Sequence, residues 1–140
     1  MGLTAEFVHE LTGCAVAFEG GGHAAWAYFK APEGAVIGDV WLYNVGPAPE
    51  AVDFSDPAAA PFQNPAALAR PLAQPLPTRR DELEVCWTLD GELLLADLHL
   101  RGELLGRLSP GSQPGWATHA RGPGPLALPL EAGAPRRRVR

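Results

Sequence analysis

Residues 82–108 place an apolar side chain at almost every second position across two turn signals. A chain written this way is committed to antiparallel β-structure over that stretch. Asp90-Gly91 is a favoured two-residue hairpin turn. It pairs Trp87 with Leu94, Val85 with Ala96, and Leu83 with Leu98 on one apolar face. Arg101-Gly102 then opens a second hairpin. A three-residue loop over 100–102 sends Leu104, Gly106 and Leu108 to the same face and turns Glu103 and Arg107 away, whereas a two-residue loop would aim Arg107 at the core.

The first part of the chain reads as a second three-stranded meander, with strands near 14–19, 23–31 and 35–45. The run Glu19-Gly20-Gly21-Gly22 supplies one turn and Ala31-Pro32-Glu33-Gly34-Ala35 the other. Proline presets φ at the first turn position, and Gly34 is free to take the left-handed conformation that closes the loop. If Ala31 pairs with Ala35, Phe29 faces Ile37, Ala27 faces Asp39, Ala25 faces Trp41 and His23 faces Tyr43. On the other side Trp26 faces Val40 and Tyr28 faces Gly38. Both sides are largely apolar, so this sheet is expected to be covered at least partly on both faces. Residues 3–12 carry two patterns: Leu3, Phe7 and Leu11 have helical spacing, and part of the same segment alternates as a strand does.

Between the meanders, residues 46–80 hold eight prolines and little periodicity. A short helix is expected at 64–70, where Asn64 is a good N-cap, Pro65 suits the first position and Pro71 forbids continuation. After Ser109 the chain is rich in Gly and Pro, with short strands expected near 116–120 and 126–130. The expected fold is therefore mainly β: two three-stranded antiparallel meanders forming one sheet, a sandwich or a partly open barrel, with one or two short helices. The 140 residues suit one globular domain, drawn at 1–135, followed by an Arg-rich tail at 136–140.

Charge narrows the choice of partner. The formal net charge is −5, yet Arg136, Arg137, Arg138 and Arg140 stand at the very end. Without them 7 basic residues face 16 acidic ones, leaving the body at −9. An acidic body argues against nucleic acid and anionic membrane, since both need cationic neutralisation, and favours a basic protein partner. Cys14 and Cys86 are far apart and lack metal or redox spacing. No apolar run approaches a membrane span and no leader is visible at the start, so the expected setting is the cytoplasm with both thiols reduced. Arginine outnumbers lysine ten to one, as in bacteria with GC-rich genomes.

Two constellations stand out. On the polar face of the second meander, the register puts Glu84 opposite Asp97 and Glu82 opposite His99, with Glu103 beside them. Like charges across a ladder are destabilising, which points to a patch kept for a basic partner, a cation or acid–base chemistry. In the first meander, His23, Trp26, Asp39, Trp41 and Tyr43 could line an aromatic pocket, with Asp39 a carboxylate in an otherwise apolar alternation. No nucleophile elbow, phosphate loop or metal-ligand spacing is present, so neither cofactor nor metal is expected. The expected function is non-catalytic protein binding, of the kind performed by inhibitors and immunity proteins that block a toxic enzyme with a basic surface. This rests on class and charge alone. The alternative is a small β-fold enzyme or ligand-binding protein using the carboxylate/His cluster or the aromatic pocket.

Overall fold

A computed structural model of the chain describes residues 2–130. The Arg-rich tail at 136–140 and the last few residues of the domain expected at 1–135 lie outside the described residues. In chain order the strands are β1 (Thr4–Val8), β2 (Ala15–Glu19), β3 (Ala24–Lys30), β4 (Val36–Asn44), β5 (Leu83–Asp90), β6 (Leu93–Leu100), β7 (Glu103–Leu108), β8 (Trp116–Ala117) and β9 (Leu128–Pro129). Strands β1–β4 form one antiparallel sheet in sequence order, and β5–β9 form a second. Both expected meanders are present, each extended: β1 joins the first, and β8 joins the second antiparallel, with β9 running parallel to β8. The two short C-terminal strands fall where the sequence places them.

The helical expectations are corrected. Residues 3–12 give an edge strand and a turn. Phe7 reaches the core opposite Val16, while Leu11 sits in the turn at 10–12, so the strand pattern wins over helical spacing. The segment 64–70 makes a single 3-10 turn, Ala66–Leu68. The five residues between Pro65 and Pro71 are too few to offset helix nucleation. Ala69 bridges Ala120 instead, and Arg70 N–H donates to the His119 carbonyl at 2.8 Å.

The Ala31–Ala35 loop forms as expected, with Ala31 N–H donating to the Ala35 carbonyl and Gly34 at φ +104°. Beyond it, register shifts at Phe29/Lys30 and Ala25/Trp26 change every expected partner. Phe29 faces Gly38, Tyr28 faces Asp39, Ala27 faces Val40, Trp26 faces Trp41 and Ala25 faces Tyr43. The first shift puts a glycine at a crowded position. A Cβ on Gly38 would lie 3.0 Å from the Ser109 carbonyl oxygen and 3.1 Å from Phe29 Cβ.

In the second meander the turn is Gly91-Glu92, with Gly91 at φ +64° and Asp90 paired with Leu93. Each β5–β6 pair thus slides by two residues relative to the expectation. Both faces survive, because the side-chain period is also two, but partners change: Trp87 faces Ala96, Val85 faces Leu98, and Leu83 faces Leu100. The β6–β7 loop has two residues, not three. Arg101 and Gly102 both take positive φ (48° and 87°), as the favoured hairpin turn requires. A bulge at Leu98/His99 then restores the phase, so Arg107 still lies on the outer face, opposite Asp97. One consequence is that Leu105 is fully buried while Leu104 is half-buried. Of the expected apolar face, Leu83, Leu94, Ala96, Leu98 and Leu108 are buried, and Val85 and Trp87 pack partly exposed against the core.

The two sheets share one core. Val16, Phe18, Phe29 and Val40 meet Leu98, Leu100 and Leu105, and Trp87 sets its edge on Phe29 with centroids 6.0 Å apart. Along one side, residues 109–128 stitch the sheets together. Ser112 accepts from Asp39 N–H, Asp39 accepts from Gly115 N–H, and Leu126 accepts from Trp41 N–H. The edge of β4 is therefore occupied. Gly115 is required there, since a Cβ would lie 2.5 Å from the Arg107 carbonyl oxygen. The opposite edge, β1, is blunted by Arg80, whose guanidinium donates to the Glu6 carbonyl and lies 4.2 Å over the Phe7 ring. Among the described residues no helix is long and apolar enough to cross a membrane.

Candidate functional site

The slide in register rearranges the carboxylate/His cluster. Glu84 lies opposite His99, and Asp97 opposite Cys86, so the expected Glu84–Asp97 and Glu82–His99 pairs do not form. Glu82 leaves the sheet and ends a 3-10 turn. Its carboxylate accepts from Thr78 N–H (2.7 Å), Arg79 N–H (3.1 Å) and the Arg101 guanidinium (2.8 Å). The Thr78 backbone bond, followed by Arg101 and Arg79, pulls its pKa down to about 2. Asp97 is held by two bonds from Arg107, at 2.7 and 3.0 Å. Glu103 accepts from Gln74 Nε2 at 2.5 Å and stands 3.5 Å from His119 Nε2. Glu84 has no cation at ion-pair distance among the described residues.

The state of Glu82 predicts an acid-side instability. Its folded pKa lies below the ordinary 4.5, so its contribution is complete above that value and is lost as pH falls towards about 2. Urea unfolding of the native chain and Glu82→Gln should show the native chain more stable near neutrality, with the difference closing across that interval. A difference independent of pH would refute this assignment of Glu82.

Two imidazoles are short of partners. His99 Nδ1 is buried with no hydrogen bond, and His119 Nε2 is too far from Glu103 to complete one. Burial pushes the His119 pKa down, against the opposing pull of Glu103. Cys86 is exposed beside Glu84 and Asp97; partial burial first, then these two carboxylates, push its thiol pKa up, which suppresses the thiolate. Among the described residues no three His, Cys, Asp or Glu side chains gather as a metal-holding set.

The aromatic set does not converge on one pocket. Trp41 and Tyr43 are fully buried, and His23 is exposed in the β2–β3 loop. Trp26 faces Trp41 on the outer side of the first sheet, donating its indole N–H to the Phe62 carbonyl at 3.0 Å. Asp39 faces Tyr28 across the ladder, and burial raises its pKa. Tyr28 is pushed up to about 12 by burial, then by Glu19 and Asp39.

A concavity of about 520 Å³ lies elsewhere, between residues 44–48 at and beyond the end of β4 and the connector at 69–76. Arg70 and Gln74 stand on its wall. Both are committed: Arg70 donates to the Thr118 carbonyl, while Gln74 donates to Leu100 and Glu103 and accepts from Arg101. Neither this cleft nor the Gln74–Glu103–His119 neighbourhood has a signal in the sequence. Its members are far apart in the chain, and the connector carries no periodicity to place them.

Surface charge has a simpler arrangement. Lys30, Arg79, Arg101 and Arg107 form ion pairs with Glu6, Asp81, Glu82 and Asp97. Arg80 is spent on β1, and Arg70 and Arg121 on backbone carbonyls. Every lysine and arginine among the described residues is thus engaged within the chain. Glu10, Glu19, Glu33, Asp39, Glu84, Asp90 and Glu92 have no cation at ion-pair distance among the described residues. Compared with known proteins, the chain matches no family model, no curated protein and no solved structure.

Proposed function

We propose that this chain is a non-catalytic binding domain for a basic protein, acting in the manner of an inhibitor or immunity protein that covers a cationic enzyme surface. The observation that carries this reading is the one-sided use of charge. The described cations are consumed by internal bonds, while many carboxylates are left to the solvent. Such a surface attracts a basic partner from a distance and raises its association rate. The outer face of β5–β7 contributes Glu84 to this field, with Glu82, Asp97 and Glu103 already held by donors of the same chain. Free Cys14 and Cys86 suit a reducing, cytoplasmic setting.

The test is capture from a native lysate of the source cell on the immobilised chain, at about 50 mM and about 500 mM salt, where the screening length falls severalfold. The expected captured proteins are basic, and they are released by the higher salt. Retention of acidic proteins, retention indifferent to salt, or no retained protein would overturn the reading.

A further inference from the structure

We infer that the docking surface is the end of the molecule where the loops at 9–13, 31–35 and 90–92 converge, and that it takes a protein segment combining a large apolar side chain with flanking Arg or Lys. This rests on the basic-partner reading and locates it. Three observations bring these loops together. Val8, Ala15, Lys30 and Val36 form one row across the first sheet, directly below its two loops. The loop at 9–13 touches the loop at 31–35, since a Cβ on Gly13 would meet Pro32 at 3.3 Å. The β5–β6 hairpin tip is tied to the same end by Trp87, which lies tilted against His9 with centroids 4.9 Å apart and edge-on to Phe29.

This end carries an unusual share of exposed apolar side chains. Leu11 is 91% exposed, and Val8, Val36, Leu89 and Leu93 lie between 44% and 62%. The other exposed large hydrophobics among the described residues, Phe54 and Leu76, lie in the connector. The His9–Trp87 contact joins the loop that carries Leu11 to the strand that carries Leu89, two residues beyond Trp87. Exposed apolar groups collected at one end mark interaction surfaces, because a monomer has no reason to gather them.

The charge around them selects the partner. Glu10, Glu33, Asp90 and Glu92 are exposed on the same three loops, and none has a cation at ion-pair distance among the described residues. The basic residue at this end, Lys30, is already bound to Glu6 at 2.9 Å. Exposed apolar side chains interspersed with carboxylates at one end are the complement of an apolar anchor flanked by Arg or Lys. A second copy of this chain would bring its own carboxylates against these and be repelled.

A phage-displayed random peptide library, panned on the full chain, supplies the probe, since it samples apolar and basic side chains in every order. Enriched peptides should pair a large apolar residue with Arg or Lys. Their affinity should fall about tenfold or more for Leu11→Ser with Leu89→Ser, and for Glu10→Lys with Glu92→Lys, as expected for central anchors and rim charges. Glu84→Lys, on the outer face of the second sheet, should weaken binding far less than either loop pair, through the long-range field alone. Leu11→Ser alone, at a side chain 91% exposed, guards against loss of the fold, which circular dichroism checks. Basic peptides lost by Glu84→Lys and kept by the loop variants would overturn this location while leaving the basic-partner reading intact. Peptides that bind the loops but carry no basic residue would overturn the basic-partner reading. No enrichment above a blank surface, or sedimentation showing a dimer abolished by Leu11→Ser, would overturn the inference.

Discussion

Trp41→Ala should destabilise the fold by about 3–5 kcal/mol, the range for a large aromatic removed from a packed interior. Trp41 has no exposure, although it sits on the outer row of the first sheet with Thr4, Glu19 and Trp26. It is buried because the proline-rich connector and the 120–128 segment close over that face. Its indole N–H donates to Asn44 Oδ1 at 2.9 Å, and Asn44 in turn holds the Asn64 backbone through two bonds, each 2.9 Å. The side chain thus fills the layer and also orients the amide that pins the connector. Trp41→Phe keeps most of the apolar area and forfeits the donor, for a smaller loss of about 1 kcal/mol beyond the change in volume. Asn44→Ala keeps the ring and frees the connector, so limited proteolysis should begin within 46–80. Urea unfolding with an unchanged m-value would register the stability losses. A Trp41→Ala cost of a few tenths of a kcal/mol would mean that the connector does not cover this face.

That covering layer marks the boundary of what is legible in the sequence. The second meander is readable because its apolar residues alternate, and alternation survives errors in turn placement: sliding Asp90-Gly91 to Gly91-Glu92 moves each pair by two and leaves Leu83, Val85 and Trp87 facing inward. The same slide is enough to dissolve the Glu84–Asp97 and Glu82–His99 pairs, so the site is far more fragile to such errors than the fold. In the first meander the loop at 32–34 is legible from Pro32 and Gly34, but the two register shifts are not. The one beside Phe29 sets Gly38 against Ser109 and Ser112, some seventy residues away. Trp26, Trp41 and Tyr43 read as a pocket in the sequence, yet aromatic residues line one only when nothing fills it. Here Phe62, Leu126 and Asn44 do, and no local pattern in 46–80 announces that. Leu11 has helical spacing with Leu3 and Phe7, and its exposure becomes visible only once β1 pairs with β2.

Arg107 is the residue hardest to place from the sequence, and its removal should cost about as much as that of Trp41. Considered from the loop alone, a two-residue turn forces this guanidinium into the core. The bulge at Leu98/His99 keeps it on the outer face, where it is nevertheless 3% exposed and grips Asp97, itself 14% exposed, through Nε and Nη2. Two parallel charge-assisted bonds of this kind are strong, but much of the cost of breaking them is the carboxylate left behind with little water around it. Arg107→Ala should therefore lose about 3–5 kcal/mol. Arg107→Lys should recover only part of this, because an ammonium is a point donor and cannot reproduce the planar fork. The Lys30–Glu6 pair provides the contrast within the same molecule. Its distance is similar, at 2.9 Å, but both side chains are well exposed, so Lys30→Ala should cost under about 1 kcal/mol and lose even that as salt rises. Denaturant unfolding of both variants at low and high ionic strength separates the two cases: the Arg107 deficit should persist at high salt. If Arg107→Ala proved no more costly than Lys30→Ala, the outer face around Asp97 would have to be open to solvent, and Asp97 would rejoin Glu84 among the carboxylates available to a basic partner.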